Sequence, residues 1–314
     1  MITSGTHPGA RRYGRSVLFV VLAAAVVAFA LAIGRKAESV LPEQKRAANG
    51  SDSSPKAPEP TPTKARPTPT PDRQAIPRWA QGKTIRRVPV QRGDKVIALT
   101  FDDGPWPTYT KQILQILDEN DVKATFYMVG SVLSAYPKIG RQVRDAGHAI
   151  GNHSWSHPLR TRHPSAEVSR TDAAIRRILG VKSTTFRPPY GAMTNGMARE
   201  AMKRKQAVMI WSADSSDWKR PGASRIISTI LRQASPGGVA LFHDGGGYRN
   251  QTVAALPIII QSLRARGYRF VTVPELLKLR YVAPAKTKSS SQAKKPIKSK
   301  GVIPHTKDKD NSMQ

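Results

Sequence analysis

The chain has 314 residues, a formal net charge of +30 at pH 7 and no cysteine. Disulfides and thiolate metal centres are therefore excluded, and any metal must be held by histidine, carboxylate or water. The charge is spread as +10 over residues 1–87, +14 over 88–282 and +6 over 283–314, which suits an anionic neighbourhood without naming it.

Residues 1–16 form a basic segment with Arg11, Arg12 and Arg15, followed at 17–34 by an unbroken run of 18 apolar or small residues. That approaches the roughly 20 residues that span a bilayer, so 17–34 reads as a transmembrane signal anchor of a single-pass cell-membrane protein, with the following domain outside the cell. Arg35, Lys36, Lys45 and Arg46 blunt the orientation signal. Ala30-Leu31-Ala32 matches a cleavage site fairly, which keeps open a protein secreted after signal-peptide cleavage. Residues 35–87 are assigned to a Pro-rich linker. The stretch 49–77 holds eight prolines and reads as an extended, semi-rigid tether.

Residues 88–282 carry the pattern of a folded domain. Strand-like runs occur at VIALTF (96–101), ATFYMVG (124–130), HAIGNHS (148–154), TTFRPP (184–189), AVMIWSAD (207–214), GVALFHD (238–244) and YRFVTV (268–273). Between them Tyr109, Ile113, Leu114, Ile116 and Leu117 recur at helical spacing, as do Ile226, Ile227 and Ile230, and then Leu256, Ile259, Ile260 and Leu263. Repeated strand then helix predicts an α/β fold with a parallel sheet. About seven such units suit a barrel, whose strand C-termini form one rim.

Titratable residues fall at those strand ends. Asp102 and Asp103 in TFDDGP leave a strand in different directions, so one can bind a cation while the other faces a water; alone, DDGP also reads as a turn. In HSWSH, His153 and His157 stand four apart on one turn that Pro158 stops, and can face one metal or simply be surface histidines. With Asp103 they make a two-histidine, one-carboxylate set with open positions. In RPPYG, Arg187 can fix a carboxylate through a bidentate contact, and the Tyr190 main-chain N–H can face a ligand. DSSDW supplies Asp214, Asp217 and Trp218, and LFHD ends in His243 and its neighbour; capping aspartates, a core tryptophan and a hydrogen-bonded histidine are the plainer readings. GGG at 245–247 reads as a flexible loop. Residues 283–314, rich in Lys, Ser and Gln, read as a basic disordered tail.

Taken together and in order, TFDDGP, HSWSH, RPPYG, DSSDW and LFH resemble the five motifs of the polysaccharide deacetylases, carbohydrate esterase family 4, over about residues 96–277. The resemblance implies a distorted (β/α) barrel and a divalent metal, zinc or alternatively cobalt or another ion, held by Asp103, His153 and His157. It implies Asp102 as general base held by Arg187, and the Tyr190 amide as oxyanion donor. It also implies His243 as general acid, with Asp217 and Trp218 behind it and Asp214 as a supporting candidate. The substrate it implies is an acetylated polysaccharide, with peptidoglycan N-acetylglucosamine ahead of chitin or chitooligosaccharide because of the anchor and tether. A non-catalytic glycan-binding protein of the same fold would be marked by loss of Asp102 or His243, and both are present. The basic linker and tail suit contact with an anionic wall polymer. Nucleic acid is disfavoured, since the basic residues lack interleaved aromatics.

Overall fold

The computed structural model describes residues 71–283. Its strands in chain order are β1 (Thr84–Ile85), β2 (Val96–Asp102), β3 (Thr125–Met128), β4 (Ala149–Asn152), β5 (Thr185–Phe186), β6 (Ala207–Met209), β7 (Ala213–Asp214), β8 (Gly238–His243) and β9 (Arg269–Phe270). The α-helices are α1 (Tyr109–Glu119), α2 (Gly130–Ala135), α3 (Pro137–Asp145), α4 (Pro164–Leu179), α5 (Met197–Lys203), α6 (Ala223–Gln233), α7 (Asn250–Ala265) and α8 (Val273–Lys278). All ladders between these strands are parallel.

The strand order is β1-β6-β5-β4-β3-β2-β8-β7, with β9 on β2. The run AVMIWSAD, expected as one strand, is broken after Met209 into β6 and β7. Ile210 donates to Ile85 O at 2.9 Å and Ser212 to Val239 O at 2.9 Å, so amides two residues apart leave for different partners. Since β6 pairs with β1 and β5 near one end of the order while β7 pairs with β8 at the other, this one segment runs from one side of the sheet to the other and curls it into a distorted barrel with a seam at 210–212. The last expected strand shrinks to β9, because Thr272 caps a helix instead. Its hydroxyl accepts from the Glu275 N–H and the Glu275 carboxylate accepts from the Thr272 N–H, the capping box encoded in TVPE.

All seven residues of β2 are buried, and the periodic helix positions Ile113, Leu117, Ile226, Ile230, Leu256, Ile259, Ile260 and Leu263 meet the sheet. Burying each such side chain contributes about 1.5–3 kcal/mol, which is what fixes the strand register beneath the rim. Phe101 stacks between Phe126 and Phe242 at centroid distances of 5.1 and 5.6 Å.

The linker assignment runs too far towards the domain. Within 71–87, Gln74 Oε1 accepts from Ile150 N at 3.2 Å, Trp79 Nε1 donates to Leu277 O at 3.2 Å, and Ile85 is buried in β1. Ile76, Trp79 and Ile85, isolated in a proline-rich context, pack on Val96, Val239 and Leu277. The anchor at 17–34, the linker up to residue 70 and the tail from 284 lie outside the described residues. Among the described residues no helix is long and apolar enough to cross a membrane.

Candidate active site

Register delivers the chemistry to one rim. Asp102 ends β2 level with His243 at the end of β8 and with Tyr127 on β3. Just past the strand ends, the backbone is left-handed at Asp103 (φ 77°), Ser154 (φ 67°), His157 (φ 54°), Tyr190 (φ 58°) and Ser216 (φ 53°). Each costs about 1–2 kcal/mol for a non-glycine residue, so these loops need anchors.

Two carboxylates supply them. Asp244 accepts from the Gly104 N–H at 3.1 Å and from the Thr110 hydroxyl at 2.6 Å, and Thr110 Oγ1 accepts from the Trp106 N–H at 2.6 Å, so β8 holds the turn after Asp103. Burial pushes the Asp244 carboxyl up to about 7 against the Thr110 hydrogen bond, with the Asp103 and Asp102 charges adding to the rise. On the other side Glu167 of α4 accepts from the Trp155 and Ser156 N–H groups, both at 2.9 Å, and from the Ser156 hydroxyl at 2.8 Å. Asn152 Oδ1 accepts from the Ser154 N–H at 2.8 Å. The loop between the two histidines is thereby pinned.

Asp103, His153 and His157 offer ligand atoms that lie within 4.8 Å of one another. His153 Nδ1 is 2.7 Å from Arg187 O. A carbonyl only accepts, so Nδ1 carries the proton, and Nε2 turns its lone pair towards Asp103 Oδ1, 3.4 Å away. His157 Nε2 lies 3.2 Å from the same oxygen. Asp103 Oδ1 is buried without a hydrogen-bond partner, a condition that a cation relieves. The donor set therefore fits a divalent metal with open positions. Burial opposes ionisation of Asp103, but the imidazoles of His153, His243 and His157 around it hold it well below the usual carboxylate range. Burial likewise opposes charge on His153, which Asp102 and Asp103 outweigh to raise it, whereas burial and the His153 charge lower His157.

Behind this set, Asp102 has its two oxygens divided. Oδ1 accepts from Arg187 Nη1 at 2.8 Å, while Oδ2 faces His153 Nε2 at 3.7 Å. The expected bidentate contact is a single one. Nη1 also donates to Thr100 Oγ1 at 2.7 Å and Nε donates to Met209 O at 3.2 Å, which turns the guanidinium edge away from Oδ2. Arg187 is fully buried, 4.2 Å above the Tyr127 ring.

Across the rim, His243 Nδ1 lies 2.6 Å from Asp217 Oδ1, and Asp217 Oδ2 accepts from the His243 N–H at 2.9 Å and the Thr252 hydroxyl at 2.8 Å. Burial acts against the imidazolium, but Asp217, with Asp103 and Asp102 further off, raises His243 to about 9. Asp214 stands outside this pair. Its Oδ1 accepts from the Ser216 N–H at 2.7 Å and its N–H donates to Gln233 Oε1 at 2.7 Å, shaping the turn that leads to Asp217.

These groups open into a cleft of about 860 Å³ with Trp106, Trp211, Tyr190 and Trp218 among its walls. The Tyr190 ring is largely exposed, 4.6 Å from that of His157, and Trp218 is half exposed beneath Lys219. Gly246 passes between the Asp103 carboxylate and the Arg249 guanidinium, both of which a Cβ there would meet. Its φ of 69° and this close approach give the glycine loop a steric reason. Sequence reasoning missed Asp244, Glu167, Asn152, Thr252 and Arg249. Glu167, in the first turn of a helix that opens with Pro164, carries the signature of a helix start but reaches outwards to the loop.

Residues 90–209 match the family model described as polysaccharide deacetylase. A peptidoglycan-N-acetylglucosamine deacetylase of Bacillus cereus is 39% identical over 198 residues, 61% of this chain and 92% of that protein. A chitooligosaccharide deacetylase of a Bradyrhizobium species is 34% identical over 202 residues, 59% of this chain and 91% of that one. Among solved structures, the Bc1960 peptidoglycan N-acetylglucosamine deacetylase superposes with a TM-score of 0.60 at 31% identity, over 65% of this chain and 97% of that chain.

Proposed function

Since the chain belongs to the polysaccharide deacetylase family, we propose that it hydrolyses the N-acetyl group of N-acetylglucosamine in peptidoglycan at the outer face of the cell membrane. The observation that carries this reading is the division of Asp102, one oxygen taken by Arg187 and the other facing His153, which shares a cluster of ligand atoms with Asp103 and His157.

Asp103, His153 and His157 would hold a divalent metal, zinc in this proposal, which when bound would acidify a water and polarise the acetyl carbonyl. Asp102 Oδ2 takes the water's proton, and Arg187 keeps the other oxygen fixed. The Tyr190 main-chain N–H donates to the developing oxyanion. His243, kept charged by Asp217, gives its proton to the leaving amine as the C–N bond breaks, so that amide and water become amine and acetate. Trp218 offers a face to the sugar's C–H groups. The segment 17–34 anchors the protein, the linker carries the barrel outwards, and the basic linker and tail contact anionic wall polymer.

The test is acetate release by the zinc- or cobalt-loaded full-length protein from peptidoglycan and from chitin oligomers. Faster release from peptidoglycan is expected. Turnover of chitin oligomers alone would make it a chitooligosaccharide deacetylase, and binding without any release a glycan-binding protein.

A further inference from the structure

One wall of the cleft carries two arginines that form no ion pair among the described residues. Past His243 this wall consists of Arg220, Tyr248 and Arg249, with Trp218 at its edge. Arg249 is 5% exposed and makes no ion pair among the described residues. Its Nη1 donates to Tyr248 O at 3.0 Å, and its buried Nε has no acceptor. A buried guanidinium whose Nε–H lacks an acceptor is costly, and its planar fork matches a carboxylate. Arg249 also stands at the N-terminus of α7, a 16-residue helix with no acid in its first turn and no side-chain cap, so the helix dipole adds positive potential at the same place. Arg220, exposed and held at φ 54° just after Trp218 and Lys219, forms no ion pair among the described residues either. Proton transfer and metal binding use none of these side chains.

We propose that this wall is a subsite for a carboxylate carried by the glycan beside the acetylated sugar. The inference rests on the deacetylase reading and narrows its substrate class to an acidic glycan. The carboxylate comes either from the lactyl ether of a muramic-type sugar or from a peptide stem attached to it; a chitin oligomer has neither. Tyr248, 70% exposed, and Trp218, 54% exposed, flank the arginines and supply faces for the ring that bears the acid.

The experiment compares kcat/KM of the zinc-loaded full-length protein on three oligosaccharides of equal length: chitin, a muramyl oligomer with free lactyl carboxylates, and the same oligomer with peptide stems. The wild type is expected to favour an acidic oligomer over chitin by about tenfold, through KM, and to lose the preference as salt rises. Whichever acidic oligomer is favoured identifies the source of the carboxylate. Arg220→Gln and Arg249→Gln are each expected to collapse the acidic-to-neutral ratio towards one, with Arg249→Lys recovering part of it. Arg220 lies on the surface, so its variant decides the matter even where Arg249→Gln fails to fold. A wild-type ratio of one or below, or an unchanged ratio in Arg220→Gln, overturns the subsite while leaving the deacetylase intact. Absence of turnover on all three substrates overturns both.

Discussion

Arg187 Nη1 donates to Asp102 Oδ1 at 2.8 Å inside the barrel, where the arginine has no exposed surface and the carboxylate almost none. Removing one partner of a buried pair leaves an uncompensated charge, at a cost of about 3–5 kcal/mol. Arg187→Met is therefore expected to lower stability by about that amount in denaturant titration and to abolish acetate release. Arg187→Lys keeps the charge but cannot reach Asp102, Thr100 and Met209 together, and is expected to fold with kcat reduced by about 10- to 100-fold. Near-normal turnover in Arg187→Met would separate Arg187 from the base.

His243, the proposed acid, has its own partner and its own pH dependence. His243 is raised to about 9 chiefly by Asp217, so it stays charged through neutral pH and loses its proton as pH climbs through that value. Without the Asp217 charge, the pKa falls back towards or below about 6.5, since burial disfavours the imidazolium. Asp217→Asn is expected to move the alkaline limb of kcat/KM to lower pH while leaving metal content unchanged. His243→Ala is expected to cost about 10²- to 10⁴-fold in rate. An alkaline limb that stays in place in Asp217→Asn would remove that pairing from the mechanism.

Glu167 and Asp244 hydrogen-bond to none of the side chains of Asp103, His153 and His157, the three proposed metal ligands, yet they hold the loops that present them. Glu167→Ala is expected to weaken zinc binding by about 10- to 100-fold, as read by competition with a chelator. Asp244→Ala is expected to do the same by releasing the Gly104 turn. Unaltered zinc affinity in both variants would mean that the left-handed loop conformations support themselves.

Much of this site is legible from residue types at strand ends, because a parallel barrel brings every strand C-terminus to one rim. TFDDGP, HSWSH, RPPYG, DSSDW and LFH converge as their positions imply. The supporting layer is not legible in that way. Glu167 and Asp244 act on backbone N–H groups, and nothing in a local pattern says which distant loop a helix-start glutamate or a strand-end aspartate will meet. The break at 210–212 is hidden for a similar reason, since AVMIWSAD reads as one apolar run and is split by distant partners, Ile85 taking the Ile210 amide and Val239 the Ser212 amide. Residues 71–87 look like linker because Trp79 and Ile85 are single apolar residues whose partners lie far along the chain.

The membrane anchor proposed at 17–34 has a simple cellular readout. Protease added to intact cells is expected to release the catalytic domain by cutting within the linker and to leave a short membrane fragment. Full-domain protein in untreated medium, beginning near Ile33, would instead show a cleaved signal peptide.

The most direct test of the central claim is metal content, measured by emission spectroscopy on purified Asp102→Asn, Asp103→Ala, His153→Ala and His157→Ala, with acetate release followed in parallel. Asp103, His153 and His157 share one cluster of ligand atoms, whereas Asp102 is tied to Arg187. Asp102→Asn is therefore expected to retain its metal and lose turnover, and the other three variants to lose both. Loss of metal from Asp102→Asn as complete as from His153→Ala would contradict the division between base and ligand.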